Sequence, residues 1–142
     1  SWQVFAQWHQ QTGSGPPPVR FYVNGETVRL DVGPDGTNVW TGTLYRGVWY
    51  DFVFHVKWSP DPTVGYVELY VDDGSGGGLK LVTPRRAAQT QFAGTGNTNY
   101  LKVGLYRDVS IKPAGIVYHD GWVQGHDKAD VMPPPRSAIA RE

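Results

Sequence analysis

The strongest constraint on this chain is a hydrophobic period of two. From Trp2 to Gln10, Val19 to Val23, Val28 to Val32, Val48 to Ser59, Tyr66 to Asp72 and Tyr100 to Arg107, apolar side chains recur at alternate positions. That spacing turns one face of a strand toward a core and the other toward water. In the last stretch Leu101, Val103 and Leu105 point one way, while Tyr100, Lys102, Gly104 and Tyr106 point the other. A glycine between a cation and a phenol lets another molecule approach the backbone closely, so this face reads as the floor of a groove. The plainer alternative is the wet face of an antiparallel sheet.

Composition agrees with strands. The 142 residues fit one domain. Eighteen glycines, eleven prolines and an abundance of aromatic rings point to short strands joined by tight turns, an all-β chain. Lys and Arg balance Asp and Glu at 13 each. No global field therefore attracts nucleic acid or an anionic membrane, and neither is an expected partner. The absence of cysteine removes disulfides and thiolate metal sites, which a domain of this size manages without. No apolar run is long enough to span a bilayer, and Ser1-Trp2-Gln3 does not resemble a signal peptide. Any export signal is expected to have been removed or to lie outside this chain.

Taken in order, strict alternation places Trp2, Val4, Ala6 and Trp8 on one face and Gln3, Phe5, Gln7 and His9 on the other. A strand with no preceding turn predicts that the natural domain starts earlier. Residues 11–18, with Pro16, Pro17 and Pro18, form a loop. A hairpin follows, turning at Asn24-Gly25, and its Arg20 and Arg29 are candidate anion ligands. In the 48–59 strand Tyr50, Phe52, Phe54, Val56 and Trp58 form the core side, and His55 and Lys57 are expected on the outside of the sandwich. The acidic, glycine-rich run Asp72 to Gly78 lacks the ligand spacing of a calcium loop and reads as a flexible turn. Leu79 to Thr83 is expected as a short strand and Pro84 to Asn99 as a long irregular connection carrying Arg85, Arg86, Gln89 and Gln91. Ile116 to Gly125 is expected to close the fold as a strand. Residues 1–126 would then be the domain, and 127–142, with Pro133-Pro134-Pro135, a tail or linker.

Gln7-Trp8-His9 followed far downstream by Tyr100-Leu101-Lys102-Val103-Gly104-Leu105-Tyr106-Arg107 resembles the paired signature of the heparin lyase I-like and glucuronan lyase-like polysaccharide lyases. Jelly-roll alginate lyases carry a related pair. The 47–59 strand, the 65–72 hairpin and Val117-Tyr118-His119-Asp120-Gly121 extend the resemblance over nearly residues 1 to 125. It implies a concanavalin A-like jelly roll of two antiparallel sheets whose concave sheet grips an acidic polysaccharide. It also implies catalysis by Gln7, His9, Lys102 and Tyr106, with Arg20, Tyr22, Tyr100 and Arg107 binding substrate and no metal or organic cofactor. The setting it implies is extracellular or at a surface, that of a cell or a virion. Related lyases carry an arginine on an earlier strand; here either an N-terminal segment or partner chain completes the sheet, or Arg20 or another arginine substitutes, or activity is lost.

Those residue types suit β-elimination from a uronate. Removing the proton α to the carboxylate requires its charge to be offset by hydrogen bonds or cations, which Gln7 and Lys102 can supply. A base must take the C5 proton and an acid must protonate the departing O4. His9 and Tyr106 are the titratable groups for this. A free tyrosine titrates at about 10 and needs a nearby cation to act as base, a part that Lys102 could play. The rival expectations are a non-catalytic carbohydrate-binding jelly roll of a larger surface or phage tail assembly, and a purely structural assembly domain.

Overall fold

The computed structural model describes residues 1–10, 15–94 and 98–134. Its elements are β1 (Trp2–Gln10), β2 (Val19–Asn24), β3 (Thr27–Val32), β4 (Thr37–Thr43), β5 (Asp51–Lys57), β6 (Tyr66–Asp72), β7 (Lys80–Ala87), β8 (Asn99–Arg107) and the one-turn helix α1 (Lys128–Val131). They form a jelly-roll sandwich of two antiparallel sheets, one ordered β4-β3-β2-β1-β8 and the other β5-β6-β7. The β2–β3 hairpin turns on Gly25 and Glu26, with positive φ only at the glycine, the arrangement of a two-residue turn that begins with glycine.

Alternation builds the core. Ala6, Val19, Phe21, Leu30 and Val32 of the larger sheet meet Val67, Leu69 and Val71 of the smaller, all buried. Aromatic rings fill the space between the layers: Trp8 lies 5.2 Å from Phe54, and Phe21 lies 5.2 Å from Phe52. Burying this surface is the main stabilising contribution, and it leaves the opposite face of the larger sheet free to carry polar side chains.

One irregularity rearranges that free face. Val4 pairs with Tyr22 and Ala6 with Phe21, so Phe5 is an extra residue in β1, a bulge. Strict alternation fails there. Phe5 turns inward, its ring 6.0 Å from Phe21 and 5.9 Å from Phe52. Trp2 and Val4 move to the face that holds Gln7 and His9. Opposite the bulge, β8 spends Gly104 and Leu105 where β1 has Phe5 alone, so Tyr106 still pairs with Val4.

Three further expectations are corrected. Ile116 to Gly125 forms no strand: Gly121, at φ +64°, leaves the extended conformation, and the segment finds no ladder partner among the described residues. β7 runs on through Pro84 to Ala87, because it is an edge strand and a proline there interrupts no ladder on its open side. The irregular connection is therefore shorter, and Arg85 and Arg86 lie on β7. His55 and Lys57 do occupy the outside of the smaller sheet, where His55 Nδ1 lies 3.5 Å from Glu68. Of the 127–142 tail, α1 packs near β5 and Lys128 Nζ stands 3.8 Å over the Tyr70 ring. Part of the Gln11 to Pro18 loop, part of the 84–99 connection and the end of the tail lie outside the described residues. β8 is the edge of the larger sheet, and its Leu101 and Val103 are 41% and 47% exposed.

Candidate active site

Register, rather than sequence proximity, assembles the site. Asp31 of β3, Arg20 of β2, Gln7 of β1 and Lys102 of β8 stand side by side in one row across the larger sheet. The parallel row is Arg29, Tyr22, Val4 and Tyr106, and His9 faces Tyr100 at the end of β1 beyond Gln7. Because the side-chain period is two, all of these project from the face away from the core. Gln7, His9, Lys102 and Tyr106 thus share one sheet face, with Arg20, Tyr22 and Tyr100 beside them.

Each group has a definite setting. His9 Nδ1 lies 3.1 Å from the Gln10 carbonyl oxygen. A carbonyl only accepts, so Nδ1 carries the proton and a neutral His9 leaves the lone pair of Nε2 free to take one. The imidazole lies 5.9 Å from the Tyr100 ring, and Lys102 Nζ stands 5.3 Å over that same ring. Tyr106 is 62% exposed, its ring 5.0 Å from Trp2. Between Lys102 and Tyr106 the backbone of Gly104 has φ +149°, and a Cβ built there would meet nothing within 4 Å. That is the gap read from the sequence, and the φ value adds a reason for the glycine.

The β2–β3 side is held more tightly. Asp31 is 3% exposed; its Oδ2 accepts from Arg20 Nη2 at 3.2 Å and its Oδ1 from Asn38 Nδ2 at 3.1 Å. The carboxylate therefore holds one nitrogen of the Arg20 guanidinium, on the strand position beside Gln7. Gly36 makes room for it, since a Cβ there would stand 2.8 Å from Arg20 Nη2. The Tyr22 ring is flanked by the guanidinium carbons of Arg20 and Arg29, each 5.5 Å from its centroid. Burial above all pushes the Tyr22 phenol above its ordinary value; its hydrogen bond to Asp31 and that carboxylate's charge add to the shift, and the two arginines oppose it. Tyr22 is thus a neutral hydroxyl at physiological pH, a poor base that can still bind by hydrogen bonding.

A family model described as polysaccharide lyase matches residues 1–123, which span all eight strands. The chain belongs to the polysaccharide lyase family. No curated protein and no solved structure matches it. In this polysaccharide lyase domain one expected substrate ligand is misplaced: Arg107 pairs with Gln3 on the opposite face, and its Nη1 donates to the Pro113 carbonyl at 2.6 Å. The odd position that separates it from Tyr106 is the physical reason. Two groove residues escaped the sequence reading. Trp2 looked like core because only the bulge at Phe5 brings it beside Tyr106, and Asp31 carried no local sign that it would anchor Arg20. The signal for Asp31 was its period with Arg29, which places both on the polar face of the hairpin.

Proposed function

We propose that the domain cleaves a uronic-acid-containing polysaccharide by metal-independent β-elimination. The row Arg20–Gln7–Lys102, with His9 one step along β1 and Tyr106 across the Gly104 gap, carries this reading. Two cations and an amide lie on adjacent strands, a spacing suited to surround one carboxylate and stabilise the charge that grows on it as the α proton leaves. Arg20 takes the part of the additional arginine. His9, with Nε2 unprotonated when neutral, and the phenol of Tyr106 are the proton-transfer groups; Tyr106 is the favoured residue for protonating the departing O4, and for taking the C5 proton when one group does both. The partner is an acidic polysaccharide of the heparin or glucuronan kind, met outside the cell or at a surface.

The test is an absorbance assay in the ultraviolet band of unsaturated uronates, run on glucuronan, a heparin-like polymer and alginate. Absorbance is expected to rise with at least one of them. A flat trace with all three, alongside measurable binding, would replace the enzyme with a carbohydrate-binding module. In the same assay His9→Ala and Lys102→Ala should each lower turnover by about a hundredfold or more, while changing stability by no more than about 0.5 kcal/mol, as solvated surface positions do. Matching losses of activity and stability would assign both residues a structural part instead.

A further inference from the structure

We infer that Arg29, backed by Tyr22, forms a second anion subsite that binds the carboxylate of a sugar unit distant from the bond being cleaved; this inference rests on the reading of the groove as a polyuronate cleft. Arg29 and Arg20 sit on neighbouring strands of the same face, yet their circumstances differ. Arg20 has Asp31 as ion-pair partner. Arg29 has no carboxylate or hydrogen-bond partner among the described residues: its Nε is buried and unsatisfied, and its guanidinium carbon lies 5.5 Å from the centroid of Tyr22. Asp31, the carboxylate two residues along β3, is already occupied by Arg20 and Asn38. A buried guanidinium N–H without a partner is costly to keep, and the planar fork to which it belongs matches a carboxylate. Tyr22 supports it from one side by a cation–π contact, so the fork is oriented before the ligand arrives.

Position along the groove fixes which carboxylate. Arg29 on β3 lies three strand spacings from Tyr106 on β8, about 14 Å at roughly 4.8 Å per strand. A monosaccharide at the proton-transfer groups does not reach Arg29, whereas a polymer laid across the strands does. The subsite therefore favours polymers that bear uronates on more than one nearby unit, and it makes affinity depend on chain length.

The experiment compares the full chain with its Arg29→Gln and Arg29→Lys variants. Equilibrium binding is measured to polyglucuronate and to the same polymer with its carboxyl groups reduced, and elimination kinetics are followed on polyglucuronate. Arg29→Gln is expected to weaken polyglucuronate binding about tenfold or more, to raise KM and leave kcat unchanged, and to leave the reduced polymer's affinity as it was. Arg29→Lys, which keeps the charge without the fork, should fall between, and it carries the test if the glutamine variant does not fold. Unchanged polyglucuronate affinity, an equal loss for both polymers, or no polyglucuronate binding by the unmodified chain would each overturn the subsite. Selective loss of binding in a chain that eliminates no polymer would keep the subsite and discard the lyase reading; normal elimination with unchanged binding would do the reverse.

Discussion

Tyr106→Phe is expected to slow elimination by a factor of about a hundred to ten thousand, toward the upper end if one hydroxyl both takes the C5 proton and returns one to O4. The substitution leaves the ring on Trp2, 5.0 Å away, and removes only an oxygen on a side chain that is 62% exposed. Folding stability should therefore change by no more than about 0.5 kcal/mol. Polymer affinity should also survive, since Arg20, Gln7 and Lys102 keep their places in the row. Rate and affinity are best measured on one sample of the variant. An unimpaired rate would remove Tyr106 from catalysis, and a rate and an affinity that fall together would make it a binding residue.

Phe5→Ala tests the bulge that aligns the groove. If β1 alternated without interruption, Phe5 would share the wet face with Gln7, and its truncation would cost a few tenths of a kcal/mol. With Phe5 turned into the aromatic layer between Phe21 and Phe52, the loss should be about 2–3 kcal/mol, somewhat below that of a fully buried phenylalanine. Denaturant unfolding measures the difference, with Gln3→Ala as a neighbouring comparison of small effect. A loss of activity larger than the loss of stability explains would further show that the bulge sets where Trp2 and Val4 stand relative to Tyr106.

The bulge also marks where sequence reading stops. Period-two alternation was enough to place Tyr100, Lys102 and Tyr106 on one face of β8 and Gln7 with His9 on one face of β1, because side-chain direction in a strand is a local property. The strand bounds from Tyr66 to Asp72 were legible for the same reason. A bulge is decided by two partner strands, so no pattern within β1 announced that Trp2 would join Tyr106 or that Phe5 would leave the groove. Register is likewise non-local: that Arg20 stands beside Gln7 and is tied to Asp31, while Arg29 is left with Tyr22, follows from the β1–β2–β3 ladders. The segment from Ile116 to Gly125 erred in the other direction. Its apolar residues and aromatics suit a strand, but a strand also needs a neighbour, and Ile116, Tyr118 and Val123 remain exposed.

The mass of the chain ends produced by cleavage tests the lyase chemistry most directly. Elimination across C4 and C5 of a uronate forms a double bond without adding water, so each new non-reducing fragment should be lighter by one water than its hydrolysed counterpart and should absorb in the ultraviolet. Digestion of polyglucuronate, a heparin-like polymer and alginate, followed by mass spectrometry of the oligosaccharides, is expected to show that unsaturated end in at least one digest from the unmodified chain, with far less from Tyr106→Phe. Fragments carrying the full mass of hydrolysis, or three polymers left intact by a folded chain, would contradict it.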